Sequence, residues 1–315
     1  LALLPPGNSP ERRRFRSASG AHAGAAFDAN PGFCGARMDN VTFAHQACLK
    51  LGLRPAQLLG LPALYKCPMP LCHHVGIPGD NHYLLCSIVG FTVRHEYLEE
   101  AVKDSAHSLR SRTAIAVMRQ PVVAAYLPRR DDQPWPRGKP PAEFKADLLV
   151  SALNRHRKLV DHSVVYPTAQ YAASSVTNGA AARERELEKI KKYTDRFFFP
   201  HAAQIDLVPI GIETFGTIGK SGIEFVGWLA GLGDYLHLNG AGTGDCDGLY
   251  SRFVSQTFAR LNAALALGNA HMLERWLSKG FPAPATAGIA MEVAHGPDDD
   301  DPDFHDPEAA AHAVA

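Results

Sequence analysis

A chain of 315 residues, 46% apolar and 20% charged, is long enough and apolar enough to bury a sizeable core, which excludes a wholly disordered protein. No apolar run approaches the roughly 20 residues that a membrane helix needs, so no helical span is expected. The formal net charge is zero but unevenly spread: the 32 acidic residues include Asp298, Asp299, Asp300, Asp301, Asp303, Asp306 and Glu308, leaving 25 acidic against 32 basic residues over 1–297, a surplus compatible with a polyanionic partner.

Residues 1–40 are rich in Pro, Gly, Ser, Ala and Arg, show little periodicity and read as disordered. The chain starts on Leu rather than Met, compatible with a piece of a longer product, and Arg12-Arg13-Arg14 with no apolar stretch after it does not fit a secretion signal. Six cysteines in such a chain read as thiols or metal ligands rather than as a disulfide framework, which points to an intracellular protein. Residues 41–66 form a helical lead-in, in which Phe43, Ala47, Leu49 and Leu51 precede a stop at Gly52, with Pro55 beyond.

Residues 67–90 are dense in Cys, His, Pro and Gly. Cys67 and Cys72 form one short-range pair, His82 and Cys86 another, and a loop joins them. Two chelating pairs of thiolate and imidazole, which limit the loop entropy lost on binding, are how structural tetrahedral zinc is held. His73 and His74 are alternative ligands, and a buried cysteine pair with surface histidines is the competing reading. Cys34, Cys48 and Cys246 are scattered and read as structural.

Val93, Tyr97, Leu98, Ala101, Val102, Ala106 and Leu109 recur at helical spacing, so a helix is expected from Arg94 to about Leu109. Five prolines between 128 and 141 mark a loop. Ala146–Val150 and Leu159–Tyr166 read as buried strands, residues 181–196 as a charged helix and Ile205–Ile212 as a third strand. Helices are expected at about 220–236, 248–267 and 270–279, the last capped by Gly280. Residues 281–315 open on Phe281-Pro282-Ala283-Pro284, end in the acidic run and read as a disordered tail. Strands alternating with helices, without a hairpin series, define an α/β class.

Asp147 and Asp161 lie in these apolar strands, where a carboxylate is costly unless it is paired or coordinates a cation. On adjacent strands they can converge on one hard ion such as Mg2+. Lys189 and Lys192, three residues apart on one helix face, can stabilise negative charge developing nearby. The bland alternatives are a turn-capping aspartate, an arginine-paired aspartate and a solvated charged helix in which Glu184, Glu186 and Glu188 neutralise the lysines. Two signals fail. Gly216–Ser221 looks like the end of a P-loop, but Thr214 stands where that motif needs glycine. The run Gly240–Gly248, with Asp245 and Asp247, lacks the downstream Glu of a calcium loop and reads as a mobile loop and helix N-cap. No Tyr-x-Asp-Asp sequence is present, so no polymerase core is expected.

The order of these motifs over residues 43–236 resembles the C-terminal region of non-LTR retrotransposon polyproteins that carry a restriction-like endonuclease, and its degenerate genomic copies. The cluster Cys67, Cys72, His82 and Cys86 is similar to that family's Cys-Cys-His-Cys. Arg94-His95-Glu96 is similar to its Arg-His-Asn, Ala146-Asp147 to its Pro-Asp, Asp161-His162-Ser163-Val164 to its Asp-Val-x-Val, and Lys189-Ile190-Lys191-Lys192-Tyr193 to its Lys-x-x-Lys-Tyr helix. Val208–Gly216 is similar to its later strand and turn. The resemblance implies a PD-(D/E)xK fold, a central mixed sheet flanked by helices over 91–280. It implies nicking of DNA by Asp147 and Asp161 around Mg2+ or Mn2+, with Lys189 assisting. Structural Zn2+ would sit in the cysteine cluster, with Arg94, His95 and Lys192 on the nucleic acid. The implied partners are DNA and the RNA template of a retroelement, and the implied location is the nucleus. The sequence departs from the family at Ser163, where simple enzymes of this fold keep the lysine, and at His162, where the family shows Val. A catalytically inactive nucleic-acid-binding remnant and an unrelated α/β interaction protein are the competing classes.

Overall fold

The computed structural model describes residues 7–28, 38–53, 65–70, 72–76, 81–86, 89, 91–109, 115–130, 144–152, 156–168, 170–200, 204–237 and 246–279. All of these belong to one compact unit, Leu1–Phe281. The expected tail at 281–315, the proline loop, the cap at Gly280 and the Gly240–Asp245 run lie wholly or largely outside them.

Among the described residues are seven α-helices: α1 (Pro10–Ala18), α2 (Ala25–Asp28), α3 (Asn40–Leu51), α4 (Phe91–His107), α5 (Ala180–Thr194), α6 (Lys220–His237) and α7 (Cys246–Leu277). A two-stranded ribbon pairs β1 (Tyr65–Lys66) with β2 (Val75–Gly76). A four-stranded mixed sheet runs in the order β3 (Ala116–Arg119), β4 (Leu148–Ser151), β5 (Arg157–Val165) and β6 (Ile205–Glu213). The first three strands of the sheet pair antiparallel, and β5 and β6 pair parallel. A parallel pair needs a crossover, and α5 provides it.

The sheet is packed on both faces. On one, Val160 of β5 and Val208, Ile210 and Ile212 of β6 meet Leu98 and Val102 of α4, Phe225 and Leu229 of α6, and Phe258, Leu261 and Leu265 of α7. On the other, Leu149, Leu159 and Ile205 meet Tyr193 of α5 and Phe197 beyond it. Helix α5 buries Ala182, Glu186, Lys189 and Tyr193, whose spacing of four, three and four residues is one helical face. Its N-terminal end comes very close to β6, because a side chain at Gly211 would stand 2.4 Å from the Ala182 carbonyl oxygen.

Two buried carboxylates fasten this crossover. Glu213, at the end of β6, accepts the amides of Ala181 (3.0 Å) and Ala182 (3.3 Å) in the first turn of α5. Glu186 accepts Gly211 N–H (3.2 Å) and Ser221 N–H (3.3 Å) at the start of α6. Burial raises both carboxyls above their ordinary range, and the amides oppose it. Free helix amides carry partial positive charge, which suits a carboxylate. Glu186 therefore has a structural partner of its own, rather than being a counter-charge for the lysines of α5.

Three expectations change. Residues 1–40 are not uniformly disordered: α1 docks, with Arg12 Nε on Ser175 O (2.8 Å) and buried Arg13 Nε on Pro167 O (3.0 Å). The signal was available, since Ser9 caps the helix by accepting Arg12 N–H (3.2 Å), Pro10 opens it and Glu11 occupies the first turn. The two terminal helices are one, α7, because Gly268 is a contact and not a break: a side chain there would meet Arg94 of α4 at 2.6 Å. The sheet has four strands and not the three expected, because β3, largely exposed at its edge, has no periodic signature. Helix α3 ends as expected, on Gly52 in the left-handed region (φ 75°) that glycine adopts at little cost.

Beneath α3 lies one pH-sensitive contact. His45 is buried with Nε2 2.7 Å from Tyr83 Oη, and burial lowers it to about 4. The folded chain thus binds fewer protons than the unfolded chain between about pH 6.5 and 4, so this residue's contribution is intact above that window and falls through it, by about 3 kcal/mol in all. Denaturant titrations from pH 7 to 4 are expected to show a steeper loss in the parent than in His45→Gln. Parallel curves would discard the assignment.

Candidate metal centre and acidic fork

The first site is local. β1 and β2 form a ribbon that brings Cys67 and Cys72 to one end, fixed by Cys67 N–H on His74 O (2.9 Å) and Cys72 N–H on Met69 O (3.1 Å). A single 3-10 turn at His82–Leu84 returns His82 and Cys86 to the same point. Cys67 Sγ lies 3.9 Å from Cys86 Sγ, and Cys72 Sγ 3.3 Å from His82 Nε2. All four ligand atoms lie within 4.8 Å of one another, so this Cys3His group could hold a metal ion such as zinc. Of the alternative ligands, His73 is exposed, and His74 instead stacks on the His82 ring at 3.8 Å between centroids.

The cluster is not a surface appendage. Cys67, Cys86, Tyr83 and Leu84 pack with Leu49 of α3, Phe215 after β6, and Met272 and Trp276 of α7, and Trp276 Nε1–H points at Cys67 Sγ (3.4 Å). Burial raises the Cys67 thiol to about 11. Burial acts the same way on Cys72, but the His74 amide and the neighbouring thiols outweigh it and the net shift is downward.

The second site is assembled from distant segments. Ala146 packs on the α5 face of the sheet while Leu148, two residues on, packs on the α4 face. Alternation along a strand would keep both on one face, so the chain bends at Asp147, immediately before β4. There β4 separates from β5, and the Asp147 carboxylate fills the fork. Its Oδ2 accepts His162 main-chain N–H (2.6 Å), and its Oδ1 lies 3.0 Å from His95 Nε2, on the second turn of α4. His162 Nδ1 is 2.9 Å from Oδ2, and the His95 and His162 rings stack at 4.0 Å. His162 sits in β5 without disrupting it.

Asp161 projects to the other side. Lys189 Nζ of α5 donates to Asp161 Oδ1 (2.5 Å) and to His162 O (2.9 Å), and both side chains of the pair are at most one-tenth exposed. Burial and the two nearby carboxylates, Asp161 foremost, push the Tyr193 phenol far above its usual range. Asp147 is driven strongly down: burial opposes this, but contacts with His162 and His95 outweigh it. His95 is raised: burial opposes, and the Asp147 carboxylate prevails. The structure therefore places Asp147 immediately before β4 and Asp161, with Lys189, at the middle of β5, the two acids in different pairings and on different sides.

The remaining basic candidates occupy three environments. Arg94 is buried, with Nη1 3.2 Å from Asn269 Oδ1 and its guanidinium over the Phe91 ring. His95 belongs to the acidic fork. Lys192 is at the surface, with Nζ 4.8 Å from the centre of the Phe144 ring. A cavity of about 540 Å3 opens beside the fork. Its wall includes Leu84 and Leu85 of the cysteine element with Arg94, His95, His162, Ser163, Arg185 and Lys189, and no acidic one among the described residues. The Ser163 hydroxyl, at the position where simple enzymes of the resembled fold keep lysine, is buried with no hydrogen-bond partner among the described residues. Sequence reasoning missed His162 as a site residue. The signal was a histidine directly after an aspartate inside a strand.

Among the described residues, no helix is long and apolar enough to cross a membrane. No protein-family model, curated protein or solved structure matches the chain.

Proposed function

We propose that this chain carries a metal-dependent DNA-nicking endonuclease domain of the kind found in non-LTR retrotransposon proteins, acting in the nucleus on DNA beside a zinc-stapled element. The observation that supports the reading is that Asp147 and Asp161 flank the same point of β5, Asp147 accepting His162 N–H on one side and Asp161 holding Lys189 on the other, on elements in the order α4, β3, β4, β5, α5, β6. The donor chemistry fits a divalent ion: the two carboxylates come from adjacent strands, and both influence His95 and Tyr193. Asp147 and Asp161 would hold the ion, which would polarise a phosphodiester and activate water. Lys189 would stabilise charge developing on the phosphate oxygens, and the cavity lined by Arg94, Arg185 and Lys189 offers the adjacent backbone a basic wall. In the cysteine cluster the fitting ion is Zn2+, because three thiolates and an imidazole suit a borderline-soft tetrahedral metal.

The inactive-remnant reading has one observation in its favour: Asp147 and Asp161 are already engaged, by His95 and His162 on one side and Lys189 on the other. Conversion of supercoiled to open-circular plasmid with Mg2+ or Mn2+ separates the two. The parent is expected to nick at least about 100-fold faster than Asp161→Ala, the scale of losing a principal electrostatic group. Equal rates in both proteins, or none in either, would remove the catalytic claim.

A further inference from the structure

The fork contains a polar contact that a neutral His162 ring does not satisfy by hydrogen bonding. His162 Nε2 lies 3.0 Å from the main-chain oxygen of His95. A carbonyl oxygen only accepts, so Nε2 carries the proton, and in the neutral ring Nδ1 is then a lone pair. The polar atom facing Nδ1 at 2.9 Å is Asp147 Oδ2, a carboxylate oxygen that already accepts His162 N–H. Nδ1 is buried and has no hydrogen-bond partner among the described residues. In the neutral ring two acceptors thus face each other, with His95 Nε2 on the second oxygen of the same carboxylate and all three ligand atoms within 4.8 Å. A histidine that donates one ring nitrogen to a backbone carbonyl and turns the other toward a carboxylate has the outer-shell arrangement of a metal ligand.

We propose that His95 Nε2, His162 Nδ1 and Asp147 form a divalent-cation site of mixed nitrogen and oxygen character. It selects a borderline ion such as Mn2+, Co2+ or Zn2+ over Mg2+. Imidazole favours these ions, whereas Mg2+ prefers an all-oxygen shell. The inference deepens the nuclease reading by naming the metal class of the same fork, but it requires only binding and not cleavage. It makes His162, which stands where the resembled family shows Val, a ligand. This donor set takes the two histidines in place of Asp161, which stays with Lys189 and, in the nuclease reading so amended, would act on the ion from outside its ligand shell.

The test uses the full chain with the cysteine cluster first saturated with Zn2+. Co2+ is then titrated by its visible absorption, and Mn2+ by its paramagnetic resonance. A second equivalent of Co2+ is expected, with ligand-field bands but no thiolate charge-transfer band, and it should survive a large excess of Mg2+. His162→Val is expected to weaken it by at least about 100-fold, beyond the range typical of outer-shell changes. Because a buried substitution can unfold the chain, His95→Gln, at a half-exposed position, provides the second variant and should show a comparable loss with an unchanged circular dichroism spectrum. Absence of a second equivalent would overturn the proposal, as would parental affinity in both variants. So would nitrogen NMR shifts of a doubly protonated His162 ring that ignore added metal, since an imidazolium would satisfy the same contact. A protein that binds Co2+ as described but never nicks DNA keeps this site and loses the nuclease reading. A protein that nicks with Mg2+ but binds no second Co2+ does the reverse.

Discussion

Removing the metal from the cysteine cluster is expected to unfold much more than the loop that holds it. The purified protein should carry about one equivalent of zinc at this cluster, and chelation or Cys86→Ser should remove it. Structural zinc contributes on the order of 10 kcal/mol in small zinc-dependent domains, against a net stability of about 5–15 kcal/mol for a whole domain. The loss is shared, because Cys67 and Cys86 lie in one apolar cluster with Leu49, Phe215, Met272 and Trp276, contributed by α3, α7 and the turn after β6. Even half of that contribution would lower the thermal midpoint by about 10–20 °C in a folded body of this size. Calorimetry with and without chelator, paired with elemental analysis, checks it. Well under one equivalent of metal, with a midpoint indifferent to chelator, would show that these residues are an ordinary buried thiol cluster.

The second large effect is expected at Lys189. Its ammonium is the buried partner of Asp161, and it also donates to His162 O. Lys189→Met keeps the volume and helix propensity but leaves a buried carboxylate without its cation, which costs about 3–5 kcal/mol. Adding Asp161→Asn removes the stranded charge, so the double variant is expected to be more stable than Lys189→Met alone. Denaturant unfolding of the four proteins in this cycle reads the coupling directly. If Lys189→Met unfolds within about 0.5 kcal/mol of the parent, the pair is not a structural one. In the nicking assay both single variants are expected to be inactive, so stability and activity together separate a lysine that only holds Asp161 from one that also serves the phosphate.

These two sites differ in how far the sequence revealed them. Cys67, Cys72, His82 and Cys86 lie within twenty residues, and two short chelating pairs can be read from spacing alone, since a local loop supplies the geometry. The structure then added why the cluster matters, by burying it under Trp276 of the last helix. Asp147, Asp161 and Lys189 were legible as candidates through their order and their apolar neighbours. Their pairing was not. Asp147 leaves the strand alternation at a bend, and whether a chain bends where two strands part is decided by what fills the gap.

The same distinction runs through the fold. Periodicity was enough for α4 and α5, each of which buries one face, and the apolar runs were enough for β5 and β6, which are covered on both. It failed for β3, a short edge strand with mostly exposed side chains, and for α7, where Gly268 is set by its approach to Arg94. It also failed for α1, where buried Arg13 and half-buried Arg12 reach carbonyls of Pro167 and Ser175, more than 150 residues away. By itself the sequence determined an α/β class, a local Cys3His cluster and a short roster of acids and lysines, since these depend on neighbours along the chain. Only the tertiary structure decided that His95 and His162, 67 residues apart, close on one carboxylate, and that Lys189 lies on the other. Such contacts follow from how the helices seat on the sheet, which no local pattern encodes.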